Sequence, residues 1–116
     1  MQKLLNDVKA FHNACSIPVL TSPQFPSEER VALRVSLIEE EVNNELVSAL
    51  VAGDIVAVAD AIADSIYVLA GMALEFGIPL DKVWAEVQRA NMAKVDPVTG
   101  QVRRREDGKV LKPRDW

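Results

Sequence analysis

Glu39, Glu40, Glu41 and Glu45 stand within seven residues of one another, in the segment LIEEEVNNEL. Asp60 and Asp64 follow in VADAIADSIYVLAGMAL, a stretch otherwise almost wholly apolar. Ionised carboxylates are costly to bury unless they are paired, hydrogen-bonded or bound to a metal. A run of three glutamates alone reads as a solvated helix face. Asp60 and Asp64 are harder to explain that way, because no basic residue stands between Asp54 and Lys82. Clustered carboxylates raise one another's pKa values or recruit cations. Hard oxygen donors that leave room for water suit Mg²⁺, or Mn²⁺. The two clusters, Glu40, Glu41 and Glu45 with Asp60 and Asp64, are therefore expected to bind a metal together. Arg34 is the one nearby cation expected to neutralise part of this charge.

Four helices are expected to position these groups. The first is QKLLNDVKAFHNAC, with Leu4, Leu5, Val8 and Phe11 at helical spacing. Pro18, Pro23 and Pro26 then impose a loop. Ser27 can cap a second helix running to about Ala52, with Gly53 as its stop. Asp54 can cap a third, over 55–76, ended by Gly77, and a fourth is expected from Asp81 to Ala93. At 3.6 residues per turn, Glu41 and Glu45 fall at the edge of the Val35/Ile38/Val42 stripe. Glu40, Glu41 and Asn44 share the flank with Leu37. Asp60 and Asp64 lie about 40° apart on the third helix. Short links favour antiparallel neighbours, which sets Glu45 level with Asp60 or Ala61 and Glu41 level with Asp64.

The chain has 116 residues, 49% hydrophobic and only 5% aromatic, so one all-α domain with an aliphatic core is expected. The second and third helices are apolar on more than one side, which calls for a dimer that completes a larger bundle. Acidic residues in the longest apolar stretch make it a poor membrane span. No signal peptide is evident, and the single cysteine, Cys15, fits a reducing, cytoplasmic setting. Residues 1–93 carry six Lys/Arg against thirteen Asp/Glu, whereas residues 94–116 carry seven against four. An acidic body with a basic tail argues against general nucleic-acid binding and allows the tail to clamp an anion. The tail has turn signals at Thr99-Gly100 and Asp107-Gly108 and is expected to form a small hairpin, an irregular loop or nothing fixed.

LIEEEVNNEL followed by GDIVAVADAIADSIYVLAGMALEFGIP resembles the MazG-like, or phosphoribosyl-ATP-pyrophosphohydrolase-like, all-α NTP pyrophosphohydrolases. Their signature is an EExxE-type motif on one helix and an ExxD-type motif on the next. AFHNACSIPV, VWAEVQRANMAKVD and RREDGKVLKP extend the similarity over nearly the whole chain. The resemblance implies Mg²⁺-dependent cleavage of a nucleoside triphosphate to the monophosphate and pyrophosphate. It points to house-cleaning of a nucleotide such as dUTP, dCTP or a non-canonical one. By position, Glu40 and Glu41 match the paired glutamates and Asp64 the aspartate of the second motif. The third acid of the first motif falls at Asn44, with Glu45 one place later. The glutamate of the second falls at Ala61, with Asp60 one place earlier. Either Glu45 and Asp60 take over by rotation of the helices, or fewer ions are held.

On this reading Glu41, Asp60 and Asp64 hold the principal ion, completed by Glu45 or by the carbonyl oxygen of Asn44. Glu40 serves a second ion or orients the attacking water. Lys94, with Asn91 beside it, meets the phosphates, and Arg103, Arg104, Arg105 and Lys109 close over them. Tyr67, three residues beyond Asp64, is a candidate substrate contact or a core residue. His12 and Cys15 lack an acidic orienter and read as ordinary packing. Gly53, Gly71 and Gly77 read as stops or close packing, not as a phosphate loop. The alternative function is a non-enzymatic dimeric helical module with an acidic patch.

Overall fold

In a computed structural model, residues 1–112 are described, and among them the protein is all-helical. Helix α1 spans Gln2–Ala14, α2 Glu28–Leu37, α3 Val47–Ala52, α4 Ile55–Glu75 and α5 Leu80–Met92. The expected second helix is not α-helical throughout. Its middle, Ile38–Leu46, is wound as a π-helix joining α2 to α3. The 3.6-residue period used above therefore fails over the acidic stretch itself.

The helix ends follow local chemistry. The Ser27 Oγ accepts the Arg30 N–H at 3.3 Å and caps α2. The Asp54 Oδ1 accepts the N–H groups of Val56 and Ala57, both at 3.1 Å, and caps α4. Gly77 ends α4 in the left-handed conformation at φ +68°. Its N–H donates to the Leu74 carbonyl and that of Ile78 to the Ala73 carbonyl, which satisfies two otherwise orphaned acceptors.

The chain divides into two compact units, Met1–Leu80 and Asp81–Trp116. In the first, α4 packs chiefly against the π segment, and also against α1 and α3. Its buried apolar cluster is Leu5, Val8 and Ala70, flanked by Leu4, Leu74 and Leu80. The proline-bearing loop lies against the end of α4: Leu20 N–H donates to the Leu74 carbonyl at 3.0 Å and Gln24 N–H to that of Phe76 at 2.9 Å. A Cβ built on Gly77 would sit 2.1 Å from the Ser22 carbonyl oxygen, so only glycine fits there.

The core of this unit also holds an ionic cluster. Glu75 is fully buried and accepts from Arg30 and from Arg34 Nε, the latter at 2.6 Å. Arg34 Nη2 lies 3.5 Å from Nε2 of the buried His12. The His12 ring sits over Gly71, where a Cβ would come within 2.7 Å of Nε2. That close approach accounts for a glycine in mid-helix. Burial alone would raise the Glu75 carboxyl, but the two guanidiniums outweigh it and hold its pKa below the ordinary value. Burial, then the Arg34 charge, pushes the His12 imidazole down.

Helix α4 is long and apolar enough to cross a membrane by composition. Its Glu75 is instead locked in this ionic cluster. Much of the apolar surface of the unit is uncovered: Val51, Ile55 and Val56 are each at least three-quarters exposed, and Ile62, Ile66 and Leu69 nearly half.

The second unit contains α5 and the basic tail. Isolated antiparallel bridges pair Val95 with Val102 and Arg104 with Val110. The expected turns fall between them, with Gly100 at φ +71° and Gly108 at φ +87°. Of the three outcomes the sequence allowed, the tail takes the hairpin-like one up to Lys112.

Candidate active site

Carboxylate oxygens of Glu40, Glu41 and Glu45, all on the π segment, lie within 4.8 Å of one another. Glu40 and Glu45 are exposed and Glu41 is half-buried. Glu41 Oε2 is shut off from solvent and has no hydrogen-bond partner. An ionised carboxylate in that state is unfavourable, and Glu41 is correspondingly pushed up to about 7. The causes, in order, are a hydrogen bond that the protonated Glu41 carboxyl shares with Glu45, burial, and the charges of Glu45, Asp64 and Glu40. A carboxylate with one buried oxygen that lacks a donor, grouped with two other carboxylates, is a natural ligand for a divalent cation. The donor set fits the hard metal ion expected from the sequence.

Asp64 is half-buried on α4, and its charge is felt at Glu41, so the two helices do bring acids together. Asp60 is exposed on α4 and lies outside the group formed by the three glutamates. Ala61, which stands where the resemblance would put an acid, is buried. Asn44 is exposed beside Glu45. Tyr67 is partly exposed, packs edge-on against Phe11 with ring centroids 5.9 Å apart, and lines a groove of about 490 Å³ with Leu4, Asp7 and Ala63.

In the second unit, Lys94 Nζ donates to Asn91 Oδ1 at 3.1 Å, so the two do share a face. Arg105 pairs with Asp107 at 2.7 Å. Arg103, Arg105 and Lys109 line one open cleft of about 530 Å³ with Lys112. Arg104 donates to the Gly108 carbonyl.

The sequence-based expectation for Arg34 is corrected. Its guanidinium is buried on Glu75 and does not neutralise the acidic group. The Arg30–Arg34–Glu75–His12 cluster was not foreseen. The available signal was that Arg30 and Arg34, one turn apart, are the sole Lys/Arg between Lys9 and Lys82, while Glu75 has no local partner. No carboxylate near Glu41 therefore has a neutralising arginine within the described hydrogen bonds.

Residues 8–91 match phosphoribosyl-ATP pyrophosphohydrolase (PRA-PH), well over half of the chain. The chain belongs to the PRA-PH family. PRA-PH proteins are MazG-like all-α NTP pyrophosphohydrolases, so a pyrophosphohydrolase activity on a nucleotide-like substrate follows. The matched PRA-PH region contains the whole three-glutamate group, Asp64, Tyr67 and the ionic cluster. It stops short of Lys94 and the basic tail. No curated protein matches this PRA-PH chain.

The raised Glu41 carboxyl gives a pH signature. Between the unfolded value of 4.5 and the folded value of about 7, the native state holds a proton that the unfolded state has lost. Stability supplied by this group therefore falls as pH rises through that window. His12, whose pKa is lowered, acts in the opposite sense below 6.5. The two are separated by difference: melts of the wild type minus those of Glu41→Gln, without metal, will decline from pH 5 to pH 7 and flatten above. A flat difference profile would show that Glu41 titrates normally.

Proposed function

We propose that the protein is a divalent-metal-dependent pyrophosphohydrolase that cleaves a nucleoside triphosphate between the α and β phosphates. The observation that carries this reading is the buried, donorless Glu41 Oε2 inside a group of three carboxylates, in a chain of the PRA-PH family. Mg²⁺ is the proposed ion, with Mn²⁺ able to replace it. Glu41 and Glu45 hold it from the π segment, and Asp64 faces them from α4. Asp60, exposed on α4 and without the influence on Glu41 that Asp64 has, joins through intervening water or at a second ion. A divalent ion there supplies charge neutralisation at the phosphates and acidifies water. Glu40, exposed at the edge of the group, accepts a hydrogen bond from the attacking water and aligns it. Glu41 gives up its proton when the ion binds, so metal affinity falls as pH drops below about 7.

Substrate contacts are proposed for Asn44 and Tyr67 in the first unit and for Asn91, Lys94, Arg105 and Lys109 in the second. Tyr67 stands one turn beyond Asp64, and its groove gives an apolar body with a polar tip to a nucleoside. Lys94 and Lys109 suit phosphate oxygens as point charges. The whole chain, 1–116, is proposed to act as one catalytic domain. The uncovered Val51, Ile55 and Val56 support burial against a second copy, in a dimer or a dimer of dimers. A cytoplasmic setting and a role in cleaning deoxynucleotide pools, on dUTP, dCTP or a non-canonical nucleotide, complete the proposal.

The test is an assay of single nucleotides with Mg²⁺, following pyrophosphate. Expected are stoichiometric monophosphate and pyrophosphate, and no turnover in EDTA. Release of orthophosphate alone, or full activity in EDTA, would overturn the mechanism. Absence of turnover with every nucleotide would favour the non-enzymatic helical module.

A further inference from the structure

The acidic stretch is the π-helical middle of a rod whose two ends are ordinary α-helix. Leu37 before it and Val47 after it have φ and ψ of −64°, −41° and −63°, −43°. The Ile38 N–H still bonds back to the Arg34 carbonyl, four residues earlier. No proline or glycine lies between Ser27 and Gly53 to cause a kink. The winding nevertheless decides which side chains meet. In an α-helix each residue turns the chain by about 100°, so Glu40 and Glu45, five apart, would face directions about 140° apart. In the protein their carboxylates share one group within 4.8 Å. A π turn closes on the fifth residue, which stacks residues five apart on one side.

We infer that the π segment absorbs one residue more than an α-helix of the same span needs, that this residue lies within Val42–Asn44, and that its presence selects Glu45 as the third member of the carboxylate group. The functional half of this inference rests on the metal-binding reading above, and the structural half does not. π turns are rare, and single-turn π bulges inside α-helices recur at functional sites. Removing a residue from an α-helix rotates everything beyond it by about 100° and strips the core contacts of one end. Removing one from the π segment converts it to α and leaves both ends facing as before. Deletion of the exposed Asn43 leaves the acids at spacings of one and three. In α winding these lie within about 100° of one another, with the first and third only about 40° apart. The carboxylate group then survives in a helix of ordinary geometry.

The experiment compares the full chain, the Asn43 deletion and a control deletion of the exposed Ala59 in the regular helix α4. Thermal melts and Mn²⁺ titrations are the readouts. The Asn43 deletion should melt no more than about 2 °C below the wild type, while the Ala59 deletion loses its cooperative melt. Its Mn²⁺ affinity should stay within about threefold of wild type. An Asn43 deletion that melts as poorly as the Ala59 deletion would refute the surplus residue. A stable Asn43 deletion with Mn²⁺ binding weakened more than about tenfold would refute the selection of Glu45. A wild-type chain that takes no Mn²⁺ defeats the proposed function instead, and the melts still decide the register.

Discussion

Asp64→Asn will lower kcat/KM by at least about a hundredfold and will blunt the rise in melting temperature that Mg²⁺ gives the wild type. Asparagine keeps the shape and removes one charge from the field around Glu41. Without metal the charges of Glu45, Asp64 and Glu40 repel the ionised Glu41. The variant is relieved of part of that repulsion, so its metal-free form should be as stable as the wild type or more so. Glu41 should also titrate lower, since one contribution to its raised value is gone. Metal that binds only the folded state stabilises it by about 2.7 kcal/mol at a hundredfold excess over Kd. That gain belongs to the wild type and largely vanishes in the variant. Melts of both proteins with Mg²⁺, and with NaCl at equal ionic strength, check the result. A solvated, idle Asp64 gives the opposite pattern, with near-normal turnover and an unchanged Mg²⁺ response.

Glu75→Ala has the largest expected effect on folding. Glu75 has no exposed surface, and the Arg34 side chain is only 5% exposed. Removing the carboxylate strands the Arg34 guanidinium in the core beside His12. Breaking one partner out of a buried pair costs about 3–5 kcal/mol. Arg30, 29% exposed, keeps partial access to water and softens the loss little. On a small domain each kcal/mol is worth roughly 4–8 °C, so Tm should fall by more than about 12 °C. The same pair gives an acid limit. Glu75 titrates below 4.5 when folded, so its contribution is complete above that value and is lost as pH falls through its folded value. Denaturant melts at pH 7 and pH 3 measure both effects. A Glu75→Ala protein within about 1 kcal/mol of wild type would show that the cluster contributes no net stability.

The helix ends were legible because their signals are local. Ser27, Gly53, Asp54 and Gly77 each act through the two or three peptide groups beside them. That Glu40 and Glu41 stand together was legible from their adjacency, whereas the place of Glu45 beside them depends on the π winding. The π segment was not legible. IEEEVNNEL contains no glycine or proline to announce it, and a 3.6-residue wheel imposes its own answer. The fate of Arg34 was hidden for another reason. Its partner lies 41 residues away, and from the sequence the nearer acids looked equally available. Levelling two helices by counting from their link addresses depth alone, and Asp60 and Asp64 both stand outside the group of three glutamates.

The segment between Cys15 and Ser27 has neither helix nor strand, yet it does not behave as spare chain. Leu20 and Gln24 complete the hydrogen bonding at the end of α4, and the Ser22 carbonyl rests where Gly77 has no side chain. Loops ordinarily absorb inserted residues at small entropic cost. Here an insertion would pull at least one donor off its carbonyl and push backbone into backbone. Over evolutionary time this stretch should therefore drift in composition while keeping its length, the reverse of what its irregular shape leads one to expect.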